Sequence, residues 1–166
     1  MVLIHVAGEK TAPKQWKIYS WNCQRESSLI EEEGRLVRVT ANIAVDVFNP
    51  FRTEVLFEAW REKHGKRTTR TLGASFAEKI KGDAYPKDEV KRVFLEELPL
   101  LAGHVTELRF SGIQEEAGVA YSYPGLATKY KRHCFEAVIN EQSYNPEGYI
   151  TVESDKTTCF LWKPVE

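Results

Sequence analysis

Three cysteines (Cys23, Cys134, Cys159) and four histidines (His5, His64, His104, His133) are the thiol and imidazole groups this chain offers to chemistry. Structural zinc sites bring their ligands in pairs two to four residues apart, and these cysteines are widely spaced. His133 and Cys134 are adjacent, so on a strand they point to opposite faces. A Cys–His nucleophile pair would have to be assembled by the fold. The glycines form neither a phosphate loop nor a dinucleotide fingerprint, and no G-x-S-x-G elbow is present. The acids come in runs, Glu31–Glu33, Glu96–Glu97 and Glu115–Glu116, which read as solvated turns or faces. Asp46 differs, because it lies near the end of a long alternating segment and opposite its apolar side. No metal or cofactor is expected and no catalytic residue is assigned. Whether the chain is an enzyme stays open, with the reading leaning against it.

Binding chemistry is better represented. Residues 61–70 contain Arg61, Lys63, Lys66, Arg67 and Arg70 against the single acid Glu62, a net +4 in a chain whose total is -1. On a hairpin these groups gather at and beside the tip, where Arg supplies bidentate contacts to phosphate or carboxylate. The alternative is an edge hairpin whose charges discourage aggregation. Lys129, Lys131 and Arg132 form a second basic cluster. Residues 141–155 hold four acids and no Lys or Arg, so self-association between opposite patches is also open. Trp21, Tyr121, Tyr123 and Tyr144 stand in turn contexts, and Trp and Tyr there are the types that anchor interfaces. The expected binding set is therefore the five basic residues and these four aromatics.

The elements that would carry these groups are mostly strands. Val37, Val39, Ala41, Ile43, Val45 and Val47 alternate with polar residues, which predicts a half-buried strand over Arg35–Phe48. Residues 15–23 read as its upstream partner, joined by a polar connector over 24–34. Asn49-Pro50 has two readings. It could start a helix over about 50–64, or turn the chain into a strand over 54–62 that returns through His64-Gly65 to 66–72. The β-prone threonines of the return favour the strand. Ser75–Ile80 reads as a short helix ended by Gly82. Pro86–Leu98 reads as a longer one, with Asp88 and Glu89 at its positive end and Val90, Phe94 and Leu98 on one stripe. Thr106–Ser111 alternates as a strand, Glu115–Gly118 reads as a turn, and Val119–Tyr123 as the returning strand. Lys129–Asn140 is a further strand. Tyr149–Glu153 and Thr157–Trp162 make a last hairpin after a turn at Tyr144–Gly148.

The expected fold is α+β, a β-rich curved antiparallel sheet or half-barrel with a central helical insert at about 86–98, in a single domain over 1–166. The chain has 28% charged and 42% hydrophobic residues, near the globular average, which excludes collagen-like, coiled-coil and wholly disordered classes. No apolar run approaches the roughly 20 residues that span a bilayer. Met1–Gly8 lacks the basic flank of a signal peptide. With few, odd-numbered cysteines, these features point to a cytoplasmic protein away from membranes. Three functions follow. The first is a non-enzymatic interaction module, a subunit of a larger assembly whose partner is another protein or its own copy. The second is a small-ligand-binding protein or enzyme with a pocket between sheet and helices. The third is nucleic-acid or other anion binding through 61–70.

Overall fold

The computed structural model describes residues 27–69, 73–81, 84–119 and 123–165. Trp21, Arg70, Tyr121 and the expected strand over 15–23 lie outside the described residues.

The chain builds a sheet around strand β2 (Arg35–Phe48), which follows β1 (Ser28–Glu32). The expected polar connector thus contains a strand. It reverses through Glu33 and Gly34, whose positive φ angles of 51° and 74° suit a two-residue hairpin turn. β3 (Glu54–Lys63) and β4 (Lys66–Thr68) form a second hairpin through His64-Gly65, both again at positive φ. This settles the ambiguity at Asn49-Pro50 in favour of strand. Asn49 is buried, and its Oδ1 accepts from the backbone N–H of Thr53 and Glu54. Those bonds close a turn and leave no N-cap for a helix.

The main sheet runs β6-β7-β2-β3-β9-β8, with β6 at Val105–Val119, β7 at Ala127–Ile139, β8 at Tyr149–Val152 and β9 at Lys156–Pro164. Here the expected antiparallel sheet is corrected. β2 and β7 are parallel, in unbroken register from Val37 opposite Ala127 to Phe48 opposite Val138. A parallel pair needs a long crossover, and the chain between them supplies it with two helices and β6. The expected turn at Glu115–Gly118 is corrected too. β6 passes straight through it, because each residue from Gly112 to Val119 keeps a partner on β7.

β2 and β3 share one pairing, Phe48 with Val55, and then diverge. β5 (Phe76–Lys79) fills the gap by pairing with Asn42–Val45. The short helix expected over Ser75–Ile80 is therefore a strand. So few residues gain little from helical nucleation, and here they satisfy the open edge of β2 instead. Ser75 closes the top of the wedge. Its N–H donates to Val45 O, its Oγ accepts from Val47 N at 2.9 Å, and its hydroxyl donates to Leu56 O at 2.5 Å.

Helix α1 (Pro86–Glu97) and the short α2 (Pro99–Ala102) cover one face. Pro86 pre-sets the first turn, Asp88 and Glu89 sit in it, and Pro99 ends the run after Leu98. Val90, Val93, Phe94, Leu98 and Leu101 meet Ile43, Val45, Val47, Leu56, Phe76, Phe135, Ile139 and Phe160 in one core. Phe76 and Phe94 pack edge to face, with centroids 5.2 Å apart. No helix among the described residues is long and apolar enough to cross a membrane.

Candidate functional site

The basic hairpin is largely neutralised from within. A β-bulge between Glu58 and Trp60 shifts the alternation, so Glu58 and Arg61 share the helix-side face. Arg61 bridges Glu58 at 3.1 Å and Glu97 of α1 at 3.3 Å. Lys156 bonds the same Glu97 at 3.2 Å and Glu153 at 2.9 Å. The carboxylates of Glu58 and Glu97 are almost wholly buried. Arg61 thus ties β3 to α1 through its two carboxylate partners. Lys63 pairs with Asp155 at 2.8 Å, so the acidic 141–155 stretch meets the basic hairpin inside one molecule. Arg67 reaches Glu62 and lies 3.9 Å over the Trp60 ring, a cation–π contact. Lys66 is exposed.

The second basic cluster is divided by strand alternation. Lys129 and Lys131 lie on the helix-side face of β7 and Arg132 on the open face. Lys129 is bonded to Glu32 at 2.6 Å. Of the four aromatics, Tyr123 and Tyr144 lie among the described residues. Tyr123 is buried, with the Arg38 guanidinium 4.3 Å above its ring, which corrects its reading as an exposed anchor. Tyr144 stacks at the core fringe against Trp162, and its hydroxyl donates to Glu54 at 2.5 Å.

A concavity lies on the face opposite the helices. It has a volume of about 320 Å³ and is lined by Asp46, Ser111, Gln114, Arg132, Cys134 and Glu136 with small residues between them. Between sheet and helices, side chains of α1 and α2 meet those of the strands in the core. Register explains the assembly. Ala44 and Asp46 on β2 lie beside Cys134 and Glu136 on β7, and Asn42 lies beside Arg132. Across from them β6 carries a second bulge, between Phe110 and Gly112, which leaves Ser111 without a partner on β7. Gly112 takes a φ of 142°, a conformation that L side chains rarely adopt.

The charges of this hollow are unequal. Glu136 is bonded by Arg109 at 2.7 Å and Arg52 at 3.1 Å, which holds its carboxyl below the usual range. Burial pushes the Asp46 carboxyl up, with the Ser75 backbone N–H opposing. Burial also raises the Cys134 thiol, the wrong direction for a nucleophilic thiolate. His133 points away from Cys134, onto the other face, so the two form no nucleophile–base pair. Arg132 has no carboxylate partner among the described residues. Its guanidinium rests against Gly73, where a Cβ would stand 3.5 Å from Nη1. No group of three or more metal-binding side chains occurs among the described residues.

Sequence reasoning named Arg132 only as part of a basic cluster and passed over Ser111, Gln114 and Glu136. Gly112 inside an alternating run was the available signal, since such a glycine marks a bulge.

Fold and site together define a mixed sheet covered by helices on one face, with a polar hollow and a long outer strand left open. Neither the known protein families nor the curated proteins include a match to this chain.

Proposed function

We propose that the protein is a non-enzymatic subunit that assembles with a second copy of itself along β6. The observation that carries this reading is the combination of an unpaired edge and an apolar stripe on that strand. Among the described residues β6 pairs only with β7 over its 15 residues. Its bulge brings Phe110 and Ile113 onto the same, helix-side face as Leu108 and Val119, with Glu115 and Ala117 between Ile113 and Val119. Phe110, Ile113, Leu108 and Val119 are 53%, 48%, 39% and 67% exposed. Phe110 already packs on the core ring of Phe135, with centroids 5.4 Å apart, so the stripe extends the core past its helical cover. Monomeric proteins generally blunt or cover a long edge of this kind.

Charge placement favours a second copy. Antiparallel pairing of two β6 strands about the Gly112–Ile113 peptide sets Arg109 of each copy opposite Glu116 of the other, both on the open face. Opposite-charge cross-strand pairs are favourable and like pairs are not. The same register puts Leu108 opposite Ala117 and Phe110 opposite Glu115 on the helix-side face. Such an interface is isologous and closes as a two-fold dimer. The reading that places the protein in the cytoplasm rests on free thiols, of which Cys134 and Cys159 are unpaired. The nucleic-acid reading has weaker support, since Arg61, Lys63 and Arg67 are engaged by acids of the same chain.

Sedimentation velocity over a concentration series tests the proposal. A reversible dimer is expected, weakened at least tenfold by Phe110→Glu and by Arg109→Glu. Restoration by the charge swap Arg109→Glu with Glu116→Arg identifies the register. A monomer at every concentration overturns the reading, and so does a dimer indifferent to Phe110→Glu.

A further inference from the structure

We propose that the open-face concavity is a binding site for a small oxyanion, a carboxylate or phosphate group held by the Arg132 guanidinium with Gln114 and Ser111. The hollow opens on the face of the sheet and not through the β6 edge, so this inference stands apart from self-association.

Three observations carry it. First, the cavity of about 320 Å³ is the size of a metabolite fragment, and most of its lining side chains are polar. Second, Arg132 is a cation in it without a carboxylate partner among the described residues, whereas Arg52, Arg61, Arg67, Arg92 and Arg109 all have one. A guanidinium fork matches oxyanion geometry. Third, the β6 bulge leaves Ser111 outside the ladder with β7, so a hydroxyl and a backbone group are available beside the amide of Gln114.

Two carboxyls line the same hollow, and their state decides whether an anion can enter. Glu136 is offset by Arg109 and Arg52. Asp46 faces Glu136, Arg132 and Cys134 on β7, the Ser75 N–H beside β5, and the more distant charge of Lys163 on β9. Its burial disfavours the charged form, so an arriving anion is accommodated by proton uptake at Asp46. Affinity for phosphate, which stays anionic, therefore rises as pH falls toward the carboxylate range, whereas acetate loses its own charge there.

Amide-resolved NMR titration of the full chain provides the test, with sodium acetate in one arm, sodium phosphate in another, and sodium chloride at matched ionic strength as control. Saturable shifts confined to residues 44–46, 111–114 and 132–136 in either oxyanion arm support the proposal, and the responding arm identifies the headgroup. Arg132→Met is expected to weaken binding at least tenfold. Asp46→Asn is expected to tighten it and to flatten its pH dependence. Absence of saturable shifts in both arms overturns the proposal. Equal shifts with chloride, or unchanged affinity in Arg132→Met, overturn it as well.

Discussion

The Arg61 guanidinium lies 3.3 Å from the Glu97 carboxylate and so ties the β3–β4 hairpin to the last turn of α1. Both groups have further partners, Glu58 for Arg61 and Lys156 for Glu97. Desolvating this cluster costs free energy that its pairings offset, and removing one member leaves the others under-compensated. Glu97→Ala is expected to destabilise the protein by about 2–3 kcal/mol in urea unfolding, because Arg61 and Lys156 each keep one carboxylate. A double-mutant cycle with Arg61→Met should return a coupling of at least about 1 kcal/mol. Additive single effects would show that the pair contributes no specific attachment.

Ser75 joins the two strands that part after Phe48. Its hydroxyl takes the N–H of Val47 and serves the carbonyl of Leu56. Ser75→Ala strands one buried donor and one buried acceptor, with an expected cost of about 2–3 kcal/mol. The loss should localise, raising amide exchange at Val47 and along Phe76–Lys79 before the rest of the sheet. A cost below about 0.5 kcal/mol, the size of an ordinary surface change, would mean that water replaces the hydroxyl without strain.

The pH dependence of stability has contributions of both signs, of which Asp46 and Glu89 are examples. Asp46 has a folded pKa above its ordinary value of 3.8, chiefly from burial. The folded state thus holds that proton more tightly, and ionised Asp46 destabilises it at neutral pH. The penalty lessens as pH falls through the folded pKa and is gone below about 3.8. Asp46→Asn should therefore raise Tm at pH 7 and leave it unchanged at pH 3. Glu89 runs the other way. Its bond from Arg92 holds the carboxyl below 4.5, so its contribution is complete above that value and is lost as pH falls through the lower folded pKa. Arg92→Met should move the acid unfolding midpoint upward, as followed by circular dichroism. The same midpoint in both proteins would exclude Glu89 as a source of acid sensitivity.

The strands that face the core were legible because their periodicity is one-sided. Val37 to Val47 alternates over the length of β2, and α1 shows its stripe between two prolines. What could not be read was which strands pair. Parallel β2 and β7 look no different in sequence from antiparallel neighbours, since alternation reports a face and not a direction. Ser75–Ile80 reads as helix in sequence, because the role of its strand Phe76–Lys79 is set by a gap between β2 and β3 that exists only in three dimensions. Glu115-Glu116 resembled a turn because two adjacent acids on an edge strand are solvated on both faces. The surroundings of the expected binding residues are hidden for the same reason. Charge on Arg61 or an aromatic ring at Tyr123 is visible in sequence, but the partner that withdraws it from solvent, Glu97 or Arg38, comes from a distant element.

The β2–β7 pairing joins residues ninety positions apart along its whole length. Local hairpins such as β3–β4 and β8–β9 can close within microseconds, whereas this contact must first meet the entropy of closing a loop that contains both helices and β6. Chains dominated by such distant pairings fold over milliseconds to seconds. Until β7 arrives, the inner edge of β2 stays open, so during synthesis the nascent strand has to wait for nearly half the chain to emerge before its final neighbour exists.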